Sequence, residues 1–340
     1  MPSSSLPTRK IGTDNVTAIG YGAMGIAAFH GPIDSDEERL KMFDELYAQG
    51  CTNWDTANCY GDSEELIGKW FKKTGKRSEI FLATKFGITM NPDKLINGEP
   101  DYAKKCIEES LRRLGGGPDP LVPIELTVGT LKELVEEGKI RYIGLSECTA
   151  DTIRRAHAVH PVAAIQIEYS LFTLDCEHPD ISVVQTAREL GIAIVAYSPL
   201  GRGLLTGKYK SPDDFAEEDT RRGMPRFSEE NFPKMLKVVE SINTIATKYN
   251  ATPGQIALAW LLAQGPDVIP IPGTRSPKYL KENLDALKIV LAGEDVAELR
   301  RLAEAADGHL GVRYHQPWIN VILVDTPPLK ASIGRGGSVA

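Results

Sequence analysis

The chain has 340 residues, of which 42% are apolar, so it is long enough for two ordinary domains or for one barrel with a large core. Its net charge is −7, with acidic and basic residues interspersed, which excludes the basic footprint of a nucleic-acid-binding protein and the polybasic patch of a membrane-surface protein. We therefore expect neither kind of partner, although local cations could still hold a small anionic ligand.

The cysteines and the first residues predict the compartment. The five cysteines form no C-x-x-C pair, a pattern of reduced thiols rather than of a disulfide framework or a zinc site, and we expect no bound metal. The opening residues, MPSSSLPTRK, lack the apolar run of a signal peptide, and no apolar stretch is long enough to cross a membrane. We therefore expect a soluble, cytoplasmic protein.

Short β-rich runs alternate with helical patterns along the chain, and most of the runs are apolar on both faces, as parallel strands covered by helices are. In chain order the runs occupy residues 18–25, 51–57, 79–85, 139–147, 163–170, 192–199 and 267–274. This alternation predicts an α/β fold, a (β/α)8 barrel of the TIM-barrel type, as a single domain over residues 1–340. A doubly wound sheet is less favoured, because no strand is followed by a G-x-G-x-x-G turn that opens a helix.

Capping boxes mark where two of the intervening helices begin. Ser35 with Glu38 opens the pattern that stops at Gly50, and Thr252 with Gln255 opens the pattern that stops at Gly265. A third pattern, SPKYLKENLDAL, begins with serine and proline in the same way. These local signals predict helices after the first strand and on both sides of the last one.

One strand of the barrel has no counterpart in the sequence. Eight strands are needed, and the joint SLRRLGGGPDPLVPIEL between two helical patterns contains three glycines and three prolines instead of an apolar run. Glycine weakens a strand interior, and proline cannot donate to a central ladder. We therefore expect that the sequence of one barrel strand, between residues 114 and 124, is absent.

Polar side chains stand at the ends of several apolar runs, where barrels of this kind place their chemistry. Asp55 ends one run, Tyr60 follows it in the next loop, and Lys85 ends the adjacent run. Each residue alone has an ordinary explanation: a turn-forming aspartate, a packed tyrosine or a surface lysine. Together they provide a phenol, a cation to lower its pKa and a carboxylate to hold the cation, the combination that a tyrosine general acid requires.

At these residues the chain resembles the aldo-keto reductase family, especially its NADPH-dependent aldehyde reductases and pyridoxal reductase-like members. The resemblance runs from about residue 8 to about residue 310 and rests on six motifs in the family's order. These are NWDTANCYGDSEELIGKW, FLATKFG, GKIRYIGLSE, QIEYSLF, AYSPLGRGLLTGKY and IPGTRSPKYLKENLDAL. It implies hydride transfer to an aldehyde or ketone, with Tyr60 as proton donor tuned by Lys85 and Asp55, and with a tail of about residues 310–340 near the active-site mouth.

The resemblance also implies NADPH as cofactor and a set of residues that hold it. Ser146 and Gln166 would bind the nicotinamide carboxamide, Tyr197 would stack on the ring, and Arg275 would read the 2′-phosphate. The remaining implied cofactor residues are Gly22, Ala23 and Met24 after the first strand, Glu147 beside Ser146, Ser198, Leu200, Gly201, Arg202 and Gly203 around the pyrophosphate, and Gly273, Thr274, Glu282 and Asn283 at the adenosine end.

The missing strand would carry a catalytic histidine in the family. Here the motifs on both sides of the gap are intact, a pattern typical of an excised segment, as from a truncated gene model or a skipped coding segment. None of the six histidines is an obvious substitute. Loops that could reach the mouth contain His30, His309 and His315.

Two other functions stay open. The chain could bind the cofactor with impaired turnover, as a truncated product or as a regulatory partner of another protein, and the lost histidine favours this alternative. It could instead use Lys85 as a Schiff-base lyase, which would leave the two cofactor motifs without a purpose. The residues do not identify the carbonyl substrate or the oligomeric state.

Overall fold

The computed structural model describes residues 6–29, 31–89, 91, 93–112, 122–217, 219–307, 311–314 and 318–329. Its strands are β1 (Thr8–Ile11), β2 (Asp14–Thr17), β3 (Tyr21–Gly22), β4 (Asn53–Asp55), β5 (Phe81–Ala83), β6 (Ile143–Ser146), β7 (Val162–Glu168), β8 (Ala193–Tyr197) and β9 (Val268–Pro270). Its helices are α1 (Met24–Ala27), α2 (Asp36–Ala48), α3 (Ser63–Thr74), α4 (Pro100–Arg112), α5 (Ile124–Glu136), α6 (Ala150–Val159), α7 (Val183–Glu189), α8 (Phe232–Lys248), α9 (Pro253–Ala263), α10 (Pro277–Asp285) and α11 (Gly293–Asp307).

The seven predicted apolar runs all contain strands, and these strands are parallel. One ladder has the order β3-β4-β5 and a second has the order β6-β7-β8-β9. The backbone N–H of Gly20 donates to the carbonyl of Pro270 at 2.9 Å, and that of Gly22 donates to Pro272 at 3.3 Å. These two hydrogen bonds join the ladders at β9 and β3, so the strands form one curved wall.

The helix starts follow the local signals in the sequence. The Ser35 hydroxyl accepts a hydrogen bond from the Glu38 N–H, and α2 begins at the next residue. At α9 the capping box is complete, because the Thr252 hydroxyl accepts from the Gln255 N–H while the Gln255 amide oxygen accepts from the Thr252 N–H. The capping box predicted at Thr252 is therefore confirmed. At Ser35 only the hydroxyl half of the predicted box forms, and the hydroxyl of Ser276 accepts no capping hydrogen bond at the start of α10.

Large aromatic side chains fill the space between the strands and the surrounding helices. Trp54 of β4 has no exposed surface and lies against Phe43 of α2 and Trp70 of α3, with ring centroids 5.0 and 4.9 Å away. Rings of this size bury a large apolar area, which is the main favourable contribution to folding. In the described part of the chain, no helix is both long and apolar enough to span a membrane.

The N-terminal hairpin, which the sequence pattern did not predict, covers one end of the barrel. Ile11 of β1 and Val16 of β2 join a buried cluster with Val195 of β8 and Ile269 of β9. The turn lies so close to Tyr142 that a Cβ on Gly12 would be 2.5 Å from the tyrosine ring. Since this packing seals the end where the strands begin, the open mouth lies at their carboxyl ends.

The edges of β5 and β6 face each other without a ladder among the described residues. At their start, the rings of Phe81 and Tyr142 are stacked with centroids 6.4 Å apart. The strand predicted to be absent falls in the segment between α4 and α5, and residues 113–121 of that segment lie outside the described residues. That expectation therefore stays a prediction.

We expect an inserted strand to stabilise the barrel. A family-type apolar strand placed between Leu114 and Gly115 would pair both edges and bury further apolar side chains, each contributing about 1.5–3 kcal/mol. The melting temperature, followed by circular dichroism, should rise by about 5 °C or more. A Ser/Gly insert of the same length is the control, and equal melting temperatures for the two inserts would contradict this prediction.

Candidate functional site

A buried carboxylate joins side chains from three strands at the mouth. Asp55 ends β4, and its two carboxylate oxygens accept hydrogen bonds from Lys85 at 2.6 Å and from Gln166 of β7 at 2.7 Å. The Lys85 ammonium also donates to the Thr56 carbonyl at 2.6 Å. Because Gln166 belongs to the second ladder, this cluster ties the two ladders together across the mouth.

Tyr60 lies beside this cluster. Its loop is held by the Asn58 N–H, which donates to the Lys85 carbonyl at 3.0 Å, and Lys85 Nζ lies 5.0 Å from the centroid of the Tyr60 ring. Phe29 packs edge-on against the same ring at 6.3 Å. The structure thus brings the three predicted catalytic residues to one place, although they come from separate loops and strand ends.

Burial dominates the ionisation of this cluster. It raises the pKa of the Tyr60 phenol from 10.0 to about 12; Lys85 acts to lower this pKa, and Asp55 adds to the rise. Burial acts to lower the pKa of Lys85, but Asp55 and Tyr60 outweigh it, so this pKa is raised. Lys85 thus acts on the pKa of Tyr60 in the direction that the sequence predicted, but desolvation outweighs this cation and the pKa rises overall.

The residues predicted around the nicotinamide lie next to the Asp55 cluster. Ser146 of β6 pairs in register with Gln166, and the Glu147 N–H donates to the Gln166 carbonyl at 3.0 Å. On the other side of Asp55, its backbone carbonyl accepts from the Ala23 N–H at 2.7 Å, between Gly22 of β3 and Met24, where α1 begins. Residues predicted to bind the cofactor therefore lie on both sides of the Asp55 cluster.

A left-handed turn follows β8, where the pyrophosphate was predicted to bind. Ser198, Gly201, Arg202 and Gly203 all have positive φ, between 49 and 96°. At Gly201 a Cβ would lie 2.7 Å from the Phe172 ring, so only glycine fits there. Successive N–H groups in such turns form concave sites for anions, which fits a pyrophosphate. Leu200 is buried beside this turn.

The predicted adenosine residues follow β9 and extend onto α10. Gly273 passes so close to Gly22 that a Cβ would lie 2.8 Å from the Gly22 carbonyl oxygen. The Thr274 carbonyl accepts from the Tyr21 hydroxyl at 2.8 Å. On α10, Asn283 is buried and Glu282 accepts from the Thr252 hydroxyl at 2.8 Å.

Arg275 stands apart from the buried groups, at the rim. Its side chain is 37% exposed, donates to the Pro32 carbonyl at 2.5 Å and lies 3.9 Å from the Asp34 carboxylate. A partly exposed guanidinium can exchange such partners for a phosphate at small cost. This position is compatible with the predicted contact to a 2′-phosphate.

A second buried ion cluster occupies the mouth, and the sequence reasoning missed most of it. Arg313, which is 4% exposed, lies 2.9 Å from Glu147, 3.2 Å from Glu168 and 3.0 Å from Asp175. Glu168 also accepts from Arg202 at 3.1 Å, so the side chain of Arg202 points into this cluster. Glu168 could have been predicted from the sequence, because it lies two residues after Gln166 and therefore on the same face of β7. No pattern in the sequence near Arg313 indicated a role for that residue.

The cations of this cluster keep Glu168 ionised. Burial acts to raise the pKa of its carboxyl, but Arg202 and Arg313 outweigh burial, so this pKa is lowered from 4.5. Among the described residues, no group of three or more histidine, cysteine or acidic side chains could hold a metal ion. The carboxylates of this cluster pair with the guanidinium groups of Arg202 and Arg313.

The known proteins that this chain resembles belong to one family, and the resemblance covers most of the chain. A model of the aldo/keto reductase family matches residues 18–304. "Aldo-keto reductase str7" of Strobilurus tenacellus is 56% identical over 95% of this chain and 99% of its own length. "Aldo-keto reductase yakc [NADP(+)]" of Schizosaccharomyces pombe is 52% identical over 96% of this chain and 99% of its own length.

A solved structure shares the architecture. The glycerol dehydrogenase AKR11B4 from Gluconobacter oxydans superposes with a TM-score of 0.78 at 26% identity, covering 88% of this chain and 95% of that protein. Together with the seven parallel strands and their covering helices, these similarities confirm the predicted TIM-barrel type of α/β fold.

We expect Glu168→Gln to destabilise the protein by about 3 kcal/mol, because it leaves two buried guanidinium groups short of a counter-charge. Urea unfolding at neutral pH measures this loss, with the exposed Glu304→Gln as control.

The pH dependence of this loss follows from the lowered pKa. The stability that Glu168 contributes is fully present above its ordinary pKa of 4.5 and is lost as the pH falls through its lower folded-state value. The free energies of unfolding of the unmodified protein and of Glu168→Gln should therefore converge in acid. A difference between them that stays constant down to low pH would contradict this role of Glu168.

Proposed function

The chain belongs to the aldo/keto reductase family, and we propose that it is an NADPH-dependent reductase that uses Tyr60 as proton donor to an aldehyde or ketone. The observation that carries this proposal is the buried Asp55–Lys85 pair at 2.6 Å, with the ammonium 5.0 Å from the centroid of the Tyr60 ring. The family fixes the general class, an oxidoreductase. The cofactor choice and the residue roles are those that the resemblance to the family implies, and the geometry of this chain supports them.

The cofactor assignment rests on the fit of three neighbouring regions. Ser146, Gln166 and Tyr197 would hold the nicotinamide end, the turn from Ser198 to Gly203 would hold the pyrophosphate, and the residues from Gly273 to Asn283 would hold the adenosine. When bound, the nicotinamide supplies the hydride that reduces the carbonyl carbon. The S. pombe relative carries NADP(+) in its name, which supports NADPH as the cofactor here.

Tyr60 is suited to donate a proton because it keeps that proton at neutral pH, with a pKa of about 12. It would release the proton to the carbonyl oxygen only as negative charge develops there. The Lys85 ammonium, fixed by Asp55 and the Thr56 carbonyl, would then stabilise the phenolate that remains. Asp55 therefore acts through Lys85 by holding it charged and in place.

A protein that binds the cofactor but turns over slowly is the second candidate. Of the histidines, the structure describes His157, His160 and His178, and none of these three belongs to the Asp55 cluster; they bond instead to the Val162 N–H, Pro161 and Asp180. The other three, His30, His309 and His315, lie outside the described residues. Without a second donor to the carbonyl, the rate would fall by about 10²–10⁴.

A Schiff-base lyase is disfavoured by the state of Lys85. Its ammonium donates to Asp55 and Thr56, and its pKa is raised, so the neutral amine that must attack a carbonyl is scarce.

The five cysteines, all in described parts of the chain, are free thiols. They support the cytoplasmic location that we propose for this enzyme.

Tyr60→Phe should lower the turnover of 4-nitrobenzaldehyde by about 10²-fold or more, because the proton donor is lost. NADPH affinity, measured by fluorescence quenching, should stay nearly unchanged. Lys85→Met should have a similar effect, since it removes the cation that stabilises the phenolate. Tyr47→Phe is the matched control, since the Tyr47 hydroxyl bonds to Lys76 and Glu79 before the start of β5. Retained turnover in Tyr60→Phe would reassign the donor.

Arg275 should set the cofactor preference. We expect NADPH to bind at least about tenfold more tightly than NADH, a difference of about 1.4 kcal/mol, and Arg275→Ala to remove most of it. Fluorescence titration with both nucleotides measures the ratio. Arg301→Ala, a surface arginine on α11, is the control. Equal affinities of the unmodified protein for both nucleotides would refute the assignment.

A further inference from the structure

The surroundings of Tyr314 repeat those of Tyr60. The guanidinium carbon of Arg202 lies 4.6 Å from the centroid of the Tyr314 ring, and Arg202 is paired with the buried carboxylate of Glu168 at 3.1 Å. In the same way, Lys85 lies over the ring of Tyr60 and is paired with Asp55. The mouth therefore contains two sets of a phenol, a cation and a buried carboxylate.

Both tyrosines lie at the mouth of the barrel. Tyr197 ends β8, which pairs with β7, and β7 carries Gln166 of the Asp55 cluster. The Tyr314 hydroxyl lies 3.1 Å from the hydroxyl of Tyr197, the residue that would stack on the nicotinamide. Tyr314 therefore lies at the same mouth as the Asp55 cluster and Tyr60, where a substrate carbonyl would bind.

We propose that the Tyr314 hydroxyl is the second hydrogen-bond donor to the substrate carbonyl oxygen. This inference rests on the proposed reductase function and supplies the donor that the family places on the strand expected to be missing. The segment from Arg113 to Leu121 contains no histidine that could fill the role.

The protonation of Tyr314 suits a donor that keeps its proton. Burial raises the pKa of its hydroxyl above 10.0, although Arg202 acts to lower it. The Tyr197 hydroxyl can donate to the Tyr314 oxygen, which leaves the Tyr314 proton directed at the substrate. Arg202 stays charged because a guanidinium is not deprotonated in proteins, so the electrostatic environment of this donor is fixed.

The two tyrosines would have separate roles in one reaction. As a hydride reaches the carbonyl carbon, the π bond of the carbonyl opens and its electron pair moves to the oxygen. Tyr60 gives its proton to that oxygen and is reprotonated from water, while Tyr314 donates a hydrogen bond and retains its proton. The substrate is reduced to an alcohol, and the cofactor is oxidised to NADP⁺.

Arg313 supports this position without contacting the substrate. It precedes Tyr314 and is held by Glu147, Glu168 and Asp175, so the backbone that carries Tyr314 is anchored at its own neighbour. A donor fixed before the reaction contributes more than one that must reorganise, and removal of one such donor typically costs about 10²–10³ in rate.

The test is Tyr314→Phe, which removes the hydroxyl and keeps the ring that faces Arg202. We expect kcat for 4-nitrobenzaldehyde to fall by about 10²-fold and the NADPH dissociation constant to change less than about twofold. The deuterium isotope effect with 4-deuterated NADPH should rise, because hydride transfer becomes more limiting. Tyr249→Phe is the matched control, since its hydroxyl bonds to Asp295 far from the mouth.

A second measurement does not depend on turnover. 4-Nitrobenzamide offers a carbonyl oxygen that cannot be reduced, and its affinity for the NADP⁺-loaded protein should fall about tenfold in Tyr314→Phe by calorimetry. Unchanged kcat and unchanged amide affinity would overturn the proposal. Larger losses in His309→Ala or His315→Ala than in Tyr314→Phe would overturn it too, by assigning the donor to a histidine.

The reductase function and the role of Tyr314 can be refuted independently of each other. If the unmodified protein oxidises no NADPH with any aldehyde tested, the reductase proposal fails, and the amide affinity alone then decides whether Tyr314 faces a carbonyl oxygen. If the unmodified protein is active and Tyr60→Phe is not, while Tyr314→Phe is fully active, the reductase proposal stands and the second donor is refuted.

Discussion

The mouth of the barrel depends on the buried carboxylate of Asp55. Its two oxygens accept from Lys85 and Gln166, which lie on different ladders, so one ion pair and one amide fix the relative position of the strands around the site. A carboxylate with little water around it is stable only when it is paired and hydrogen-bonded. Because Asp55 needs a cation beside it, Lys85 stays charged next to Tyr60. The pairing of Asp55 with Lys85 therefore serves both the packing of the strands and the proposed chemistry.

A buried carboxylate, that of Glu168, also fixes the C-terminal part of the chain. Glu168 is buried and needs cations, and Arg202 and Arg313 meet that need from two directions. Because Arg313 is held in this way, the residue after it, Tyr314, reaches the hydroxyl of Tyr197. Burial of the Glu168 carboxylate thus helps to determine where the Tyr314 side chain lies.

The edges of β5 and β6 show where the barrel is least constrained. Elsewhere each strand of the wall has hydrogen-bonded neighbours on both sides, whereas across this boundary the described residues offer ring stacking between Phe81 and Tyr142. Lys85 follows β5, and Ser146 ends β6. Lys85, a proposed catalytic residue, and Ser146, a proposed cofactor residue, therefore flank the boundary. The hydrogen bond from Gln166 to Asp55 links the two ladders.

The sequence by itself determined what depends on neighbours within one helical turn or one strand. It located the caps at Ser35 and Thr252, the seven apolar runs, and Asp55 and Lys85 at strand ends, because these patterns are local. Tertiary structure alone decided the rest. Arg313 finds Glu168 across 145 positions of sequence, a pairing with no local signal, and the pKa of Tyr60 rises because folding removes water from it.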